Sequence, residues 1–298
     1  MKDSGNNYPS SNIGKCALFD REEPLRQSHI VPKLFYNYIK KDSGNHPFYS
    51  EGRREHKDGY KIPLLCQEAE TLLSRYEKYF SQKIFRPIVY DNEKEVEYDS
   101  NLLKFVVSLF WRCIIDYKNF VDNSKEIDTS LEFLVPFLNE WKQYIIGNTD
   151  SIAESFYIFP IKEEWLDNNK IRNDYHRAFL CDFGWNFYID KDTITFYVGV
   201  PHFLFVVVFF SEGEDILFSN LQEIKDSGCI NIDIEPTKEL KNMLNYIGNK
   251  IYKSIDKVFN TREFKEKTMK KLDESPDFSK SNTCRIYKKA LSKNAPSN

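Results

Sequence analysis

"FLFVVVFF", residues 203–210, is the stretch that decides the fold: eight consecutive residues, all Phe, Leu or Val. β-Branched and aromatic side chains favour the extended chain. A run with no polar alternation has no face to leave in water, so it predicts a central strand covered on both sides. Three neighbours share its composition: "SFYIFPI" (155–161), "AFLCDFGWNFYID" (178–190) and "TITFYVG" (193–199). "DKDT" (190–193) and "GVPH" (199–202) supply turns between them. The expectation is an antiparallel meander.

Outside this block the apolar period is helical. Helices are expected over 33–41, 66–85 and 99–121, the last with Leu102, Phe105, Val106, Leu109, Phe110, Cys113 and Ile114 on one stripe. A further helix over 129–146 is expected to break or kink at Pro136. After Pro236, residues Leu240, Met243, Ile247, Ile251, Ile255 and Val258 mark a long amphipathic helix. "NDYHRAF" (173–179) reads as a loop, in which Asp174 and His176 meet by chance. The fold class is α+β. The expected organisation is a disordered leader (1–14), a small module with helices (15–150), the antiparallel sheet with its C-terminal helix (151–260) and a Lys/Ser-rich tail (261–298).

The chain has 298 residues and a net charge of −3, so no general basic field draws it to nucleic acid or membranes. Six cysteines are scattered with no CxxC pair, which argues against a disulfide scaffold or an intact zinc ribbon. The polar start lacks the apolar core of a signal peptide. The longest apolar stretch, 102–115, carries Lys104 and Arg112 and is too short to span a bilayer. A cytoplasmic protein without a membrane partner is expected, in the host cytoplasm if a phage encodes it. There is no GxSxG, Walker loop, HExxH or GxGxxG.

Four segments carry a pattern: "CALF" (16–19), "SHIVPKLF" (28–35), "DGYKIPLLCQEAE" (58–70) and "NLLKFVVSLFWRC" (101–113). In this order they resemble a group of bacterial and phage HNH-endonuclease-like proteins. Those show a CxxC knuckle, SHIIPKF, a basic loop, LLCxxCE and a helix containing LLKFxxSxxWR. The resemblance covers residues 15–115 and implies a small ββα module. It implies His29 as the base that takes a proton from the attacking water, beside a divalent metal. It also implies a structural zinc at cysteines in the positions of Cys16 and Cys66.

This chain departs from the pattern. Phe19 and Ala69 stand where each knuckle has its second cysteine, and two thiolates do not make a tetrahedral site. Glu70 or His29 would have to complete it. Ser28 stands where an Asp or His holds the catalytic metal, leaving His46, His56 or Glu70 to supply a ligand. No cofactor is expected unless the HNH-like site functions, in which case zinc or magnesium is. The plainer readings are that His29 hydrogen-bonds across a turn closed by Pro32, and that Cys16 and Cys66 are small buried residues.

In "EGRREHKDG" (51–59), Arg53, Arg54 and Lys57 are candidate DNA contacts, diluted by three carboxylates. Arg112, on an apolar helix, requires a carboxylate partner, with Glu70 a candidate. Phe183, Trp185, Phe187 and Tyr188 are either core or a protein-binding face. Two functions follow. One is a non-catalytic binding protein on a degenerate HNH-like scaffold, with a protein partner and a homo-oligomeric state. It would be an inhibitor or effector in conflict between phages and bacteria, such as an anti-defence protein gripping a host DNA-cleaving complex in the manner of the Gabija inhibitors. The alternative is an active metal-dependent HNH endonuclease.

Overall fold

The structure is a computed structural model. It describes residues 13–42, 48–49, 55–56, 59–123, 131–190, 193–211, 221–259 and 284–285. The first half contains β1 (Ile13–Lys15), β2 (Glu22–Pro24), β3 (Arg26–His29), α1 (Lys33–Asp42), β4 (Phe48–Tyr49), β5 (Glu55–His56), β6 (Lys61–Leu65), α2 (Gln67–Tyr79), α3 (Arg86–Val89), β7 (Glu95–Tyr98), α4 (Ser100–Asn123) and α5 (Val135–Ile146). The second contains β8 (Phe156–Pro160), α6 (Glu163–Asn168), α7 (Asn173–Leu180), β9 (Gly184–Asp190), β10 (Thr193–Val200), β11 (Phe203–Ser211), β12 (Gln222–Glu223), β13 (Gly228–Asn231) and α8 (Lys238–Phe259). The class is α+β, and every pairing between the strands is antiparallel.

The main sheet runs β12-β8-β11-β10-β9, so the "FLFVVVFF" strand lies at its centre. β9, β10 and β11 form the expected meander. β8 joins the far side of β11, pairing Phe203 with Pro160 and Val207 with Phe156. The strand period sends Phe203, Phe205 and Val207 to one cluster with α2, α4 and α5, and Leu204 and Val206 to a second with α7 and α8. The sheet is therefore the middle of three layers. The first cluster is continuous from Cys16 to Ile232.

Between α2 and α3 the helix widens into a π-helical segment, Phe80–Phe85. Its extra width turns Phe80, Ile84 and Phe85 all inward, where they are buried. Phe80 stacks on Phe105 of α4 at 4.1 Å between centroids and meets Phe203 edge-on at 5.3 Å. One residue thus joins three elements.

Three expectations need correction. Residues 178–180 are not strand, and "NDYHRAF" is not a loop: both belong to α7. Tyr175, Ala178 and Phe179 sit at helical spacing and are buried in the second cluster with α8. The close approach of the two helices depends on Gly248, where a Cβ would lie 2.7 Å from the Tyr175 ring. Pro136 does not kink a helix. A short 3₁₀ turn, Glu132–Leu134, precedes α5, and Pro136 stands in the first turn of α5, where no N–H is required of it. In α8, Leu240, Met243, Leu244, Ile247 and Ile251 enter the second cluster, while the side chains of Ile255 and Val258 fall outside those described.

The leader through residue 12 lies outside the described residues, as does the tail except Cys284 and Arg285, whose guanidinium pairs with Glu163 of α6. No described helix is long and apolar enough to cross a membrane. Phe205→Ala, on the central strand, is expected to cost about 3–5 kcal/mol in urea denaturation. Gly248→Ala is expected to cost about 1–3 kcal/mol by overpacking against Tyr175.

Candidate functional site

β3 and β6 pair with His29 opposite Lys61 and Ser28 opposite Ile62, and α2 follows β6 at once. His29 stands at the end of β3, and α1, β4 and β5 intervene in the chain before β6 returns to pair with it. Alternation puts Ser28 and His29 on opposite faces. Ser28 is buried, donates to the Arg26 carbonyl at 3.4 Å and accepts from the Leu65 N–H at 3.2 Å. The hydroxyl in the metal-holding position of the HNH pattern is therefore occupied with the backbone. His29 is half-buried, its ring 5.6 Å from that of Tyr36. The turn after it closes through Ile30 N–H to the Tyr60 carbonyl at 3.4 Å.

The segment after β1 folds back as a tight turn, with Asp20 N–H on the Cys16 carbonyl at 2.8 Å. Asp20 is left-handed (φ 57°) and is paired by Lys142 of α5, which holds its carboxyl below the usual range. Ala17 N–H bonds the Leu64 carbonyl at 3.1 Å, bringing this turn against the end of β6. Cys16 and Cys66 meet there. Both are fully buried, and the Cys66 N–H donates to Cys16 Sγ at 3.3 Å. Burial pushes the Cys66 thiol up, opposed by the Ala69 N–H aimed at its sulfur.

The two missing knuckle positions are filled by packing. Ala69 is buried, and Phe19 lies against the core with the Arg21 guanidinium 4.8 Å above its ring. Glu70 is half-buried one turn into α2. Its Oε1 has no hydrogen-bond partner among the described residues. Among those residues no group of three or more His, Cys, Asp or Glu is placed to hold a metal.

Arg112 does clamp the strand pair to the helices, but its carboxylate is Glu77, not Glu70. Nη1 donates to Glu77 Oε1 at 2.8 Å and to the His29 carbonyl at 3.1 Å, and Nε to the Ser108 carbonyl at 3.2 Å. Glu77 is two turns beyond Glu70 on the same face of α2 and lies where the guanidinium emerges from α4. One turn further along α4, Asp116 accepts from Tyr60 Oη at 2.9 Å, and burial pushes its carboxyl up. Tyr36 lies beside this pair, and burial drives its phenol far above the usual range. Its ring packs on Gly59 (φ 88°), where a Cβ would sit 2.7 Å away. Glu77, Tyr60 and Asp116 were not singled out by sequence. Their role arises only when α4 crosses the strand pair.

Arg53, Arg54, Lys57 and His46 lie outside the described residues. His56 falls on β5, opposite Phe48. The aromatic quartet is half-buried, with Trp185, Phe187 and Tyr188 on edge strand β9 and Phe183 just before it. Phe183 meets Tyr36 edge-on at 4.8 Å and stacks with Trp185, while Phe187 contacts Tyr117, Phe196 and Phe209. Tyr188 faces the other way, against Tyr246 of α8. His176 is fully buried in α7, with its Nε2 3.1 Å from the Ile171 carbonyl.

Comparison with known proteins returns no match: no family model, no curated protein and no solved structure matches this chain.

Glu77→Gln, which weakens the charge partner of a guanidinium only 3% exposed, is expected to lower stability by about 1–3 kcal/mol. Adding Arg112→Met should recover part of that loss, and a double-mutant cycle measures it. Asp116 has a raised folded pKa. The folded chain therefore holds its proton more tightly than the unfolded one, and stability falls as pH rises out of the ordinary carboxylate range. Asp116→Asn, which still accepts from Tyr60, should be more stable than the parent at pH 7 and equal to it in acid, as read by thermal melts across pH.

Proposed function

We propose that this chain is a non-catalytic protein-binding protein on a degenerate HNH-like scaffold. The observation that carries this reading is the closed cysteine pair. Cys16 and Cys66 touch each other, and Phe19 and Ala69 are packed where two further thiolates would complete a zinc site. The antiparallel pair of β3 and β6 followed by α2, with His29 at the end of β3, supports the HNH-like part, although α1, β4 and β5 are inserted between the two strands. The inward hydroxyl of Ser28 supports the non-catalytic part. Among the described residues no group of three or more His, Cys, Asp or Glu is placed to hold the metal that would supply the electrophile for phosphodiester hydrolysis.

The binding part draws on the exposed apolar residues at one end of the sheet and beside it. Ile189 of β9 is 66% exposed, Phe210 of β11 48% and Phe133 44%. Large apolar residues grouped in this way are typical of protein interfaces. The role is that of an oligomeric inhibitor or effector in conflict between bacteria and their viruses, acting in the cytoplasm. This last step rests on the resemblance of residues 15–115 alone.

The test pairs metal analysis with a cleavage assay. Purified protein is expected to carry far less than one zinc per chain. It is expected to leave supercoiled plasmid intact in Mg²⁺, Mn²⁺ or Ni²⁺, indistinguishable from His29→Ala. Metal-dependent nicking that disappears in His29→Ala would replace this reading with an active endonuclease. Sedimentation of the intact chain tests the oligomer: a monomer at all concentrations would remove that part of the proposal.

A further inference from the structure

Cys16 and Cys66 are fifty residues apart in the chain, yet the Cys66 N–H donates to Cys16 Sγ at 3.3 Å and the two thiols interact. Rigid neighbours hold them there. Cys16 N–H is bonded to the Arg21 carbonyl at 2.9 Å, Ala17 to Leu64 at 3.1 Å, and Cys66 stands at the N-terminal cap of α2. Two backbone N–H groups, from Cys66 and Ala69, point at the two sulfurs, although burial still outweighs the Ala69 N–H and pushes the Cys66 thiol up. Both cysteines are free, and among the described residues no metal-binding group includes them. The arrangement has what a two-electron thiol oxidation needs: two neighbouring thiols, one of them 3.3 Å from the other residue's backbone nitrogen, in a frame that holds them together.

We propose that Cys16 and Cys66 form a modification site, in which a hydroperoxide converts the pair to an intrachain disulfide. One sulfur attacks a peroxide oxygen and the O–O bond breaks. The products are a sulfenic acid and one water, which takes up the thiol proton. The second sulfur then attacks the sulfenic sulfur. The S–S bond forms, the S–O bond breaks, and hydroxide leaves with the second thiol proton as another water. Two thiols and one hydrogen peroxide become one disulfide and two waters, with two electrons passed from sulfur to oxygen. The bond encloses β2 to β6 with α1, and with them His29, and ties the turn after β1 to the start of α2. The site does not depend on whether the chain binds a partner.

The experiment uses the full chain with Cys229→Ser, which removes the cysteine found exposed. After hydrogen peroxide, the thiol count in denaturant should fall by two and the mass by about 2 Da. Trypsin should then release peptide 16–21 linked to peptide 62–75, and reductant should separate them. Cys16→Ser and Cys66→Ser should each abolish the linked pair. The parent peptide map decides the matter even if these variants fold poorly. Full retention of thiols, or a disulfide joining other cysteines, would overturn the proposal. Thiols protected only until a chelator is added would keep this proposal and overturn the metal-free reading above.

Discussion

A strand that is apolar at eight consecutive positions has no side to give to water. Covering β11 on one face alone would leave either Phe203, Phe205 and Val207 or Leu204 and Val206 exposed. At about 1.5–3 kcal/mol for each buried side chain of this size, neither is tolerable. The fold answers with a layer of helix on each face. α2, α4 and α5 take one, and α7 and α8 the other. Much else follows from that demand. The wide π-helical turn brings Phe80 onto both α4 and β11. Gly248 lets α7 and α8 approach closely enough to form the second cover.

The polar groups in the first half sit where this burial leaves them. Arg112 lies on a helix otherwise apolar toward the core, so its charge has to be met inside. Glu77 and the His29 carbonyl meet it. This explains why the end of β3 is held to α4 rather than offered freely to solvent. Asp116 and Tyr60 form a second, half-buried pair one helical turn away. The carboxyl there titrates upward because desolvation outweighs the single hydrogen bond from the phenol. The hairpin between β10 and β11 adds a tie of its own. His202 (φ 69°) lies with Nε2 2.7 Å from Tyr38 Oη of α1 and Nδ1 3.1 Å from the Ile161 carbonyl.

The elements with a strong period were legible in the sequence. The "FLFVVVFF" strand announces itself by an unbroken apolar run, the meander around it by β-branched and aromatic composition between turns, and α2 and α4 by side chains that repeat at 3.6 residues. The failures have physical causes too. α7 was concealed because its aromatic residues also suit a strand and run directly into β9. Pro136 was misplaced because a proline inside a helix and one in its first turn look alike until the helix start is known. The partner of Arg112 was not legible because α2 offers two carboxylates, Glu70 and Glu77, on one face. Only the crossing of α2 and α4 chooses between them. At the candidate site, Cys16 and Cys66 were legible as a pair, whereas the inward hydroxyl of Ser28 depended on strand register.

The continuity of the first core, from Cys16 to Ile232, bears on how dispensable a metal is. A free-standing unit of two short strands and one helix is too small to fold on apolar burial alone, and such units rely on zinc or disulfides as staples. In this chain the same small unit leans on α4 and on the sheet beyond it. The neighbouring layers supply what a metal would. On the HNH-like reading proposed above, Phe19 and Ala69 in place of cysteines would then carry little penalty for folding.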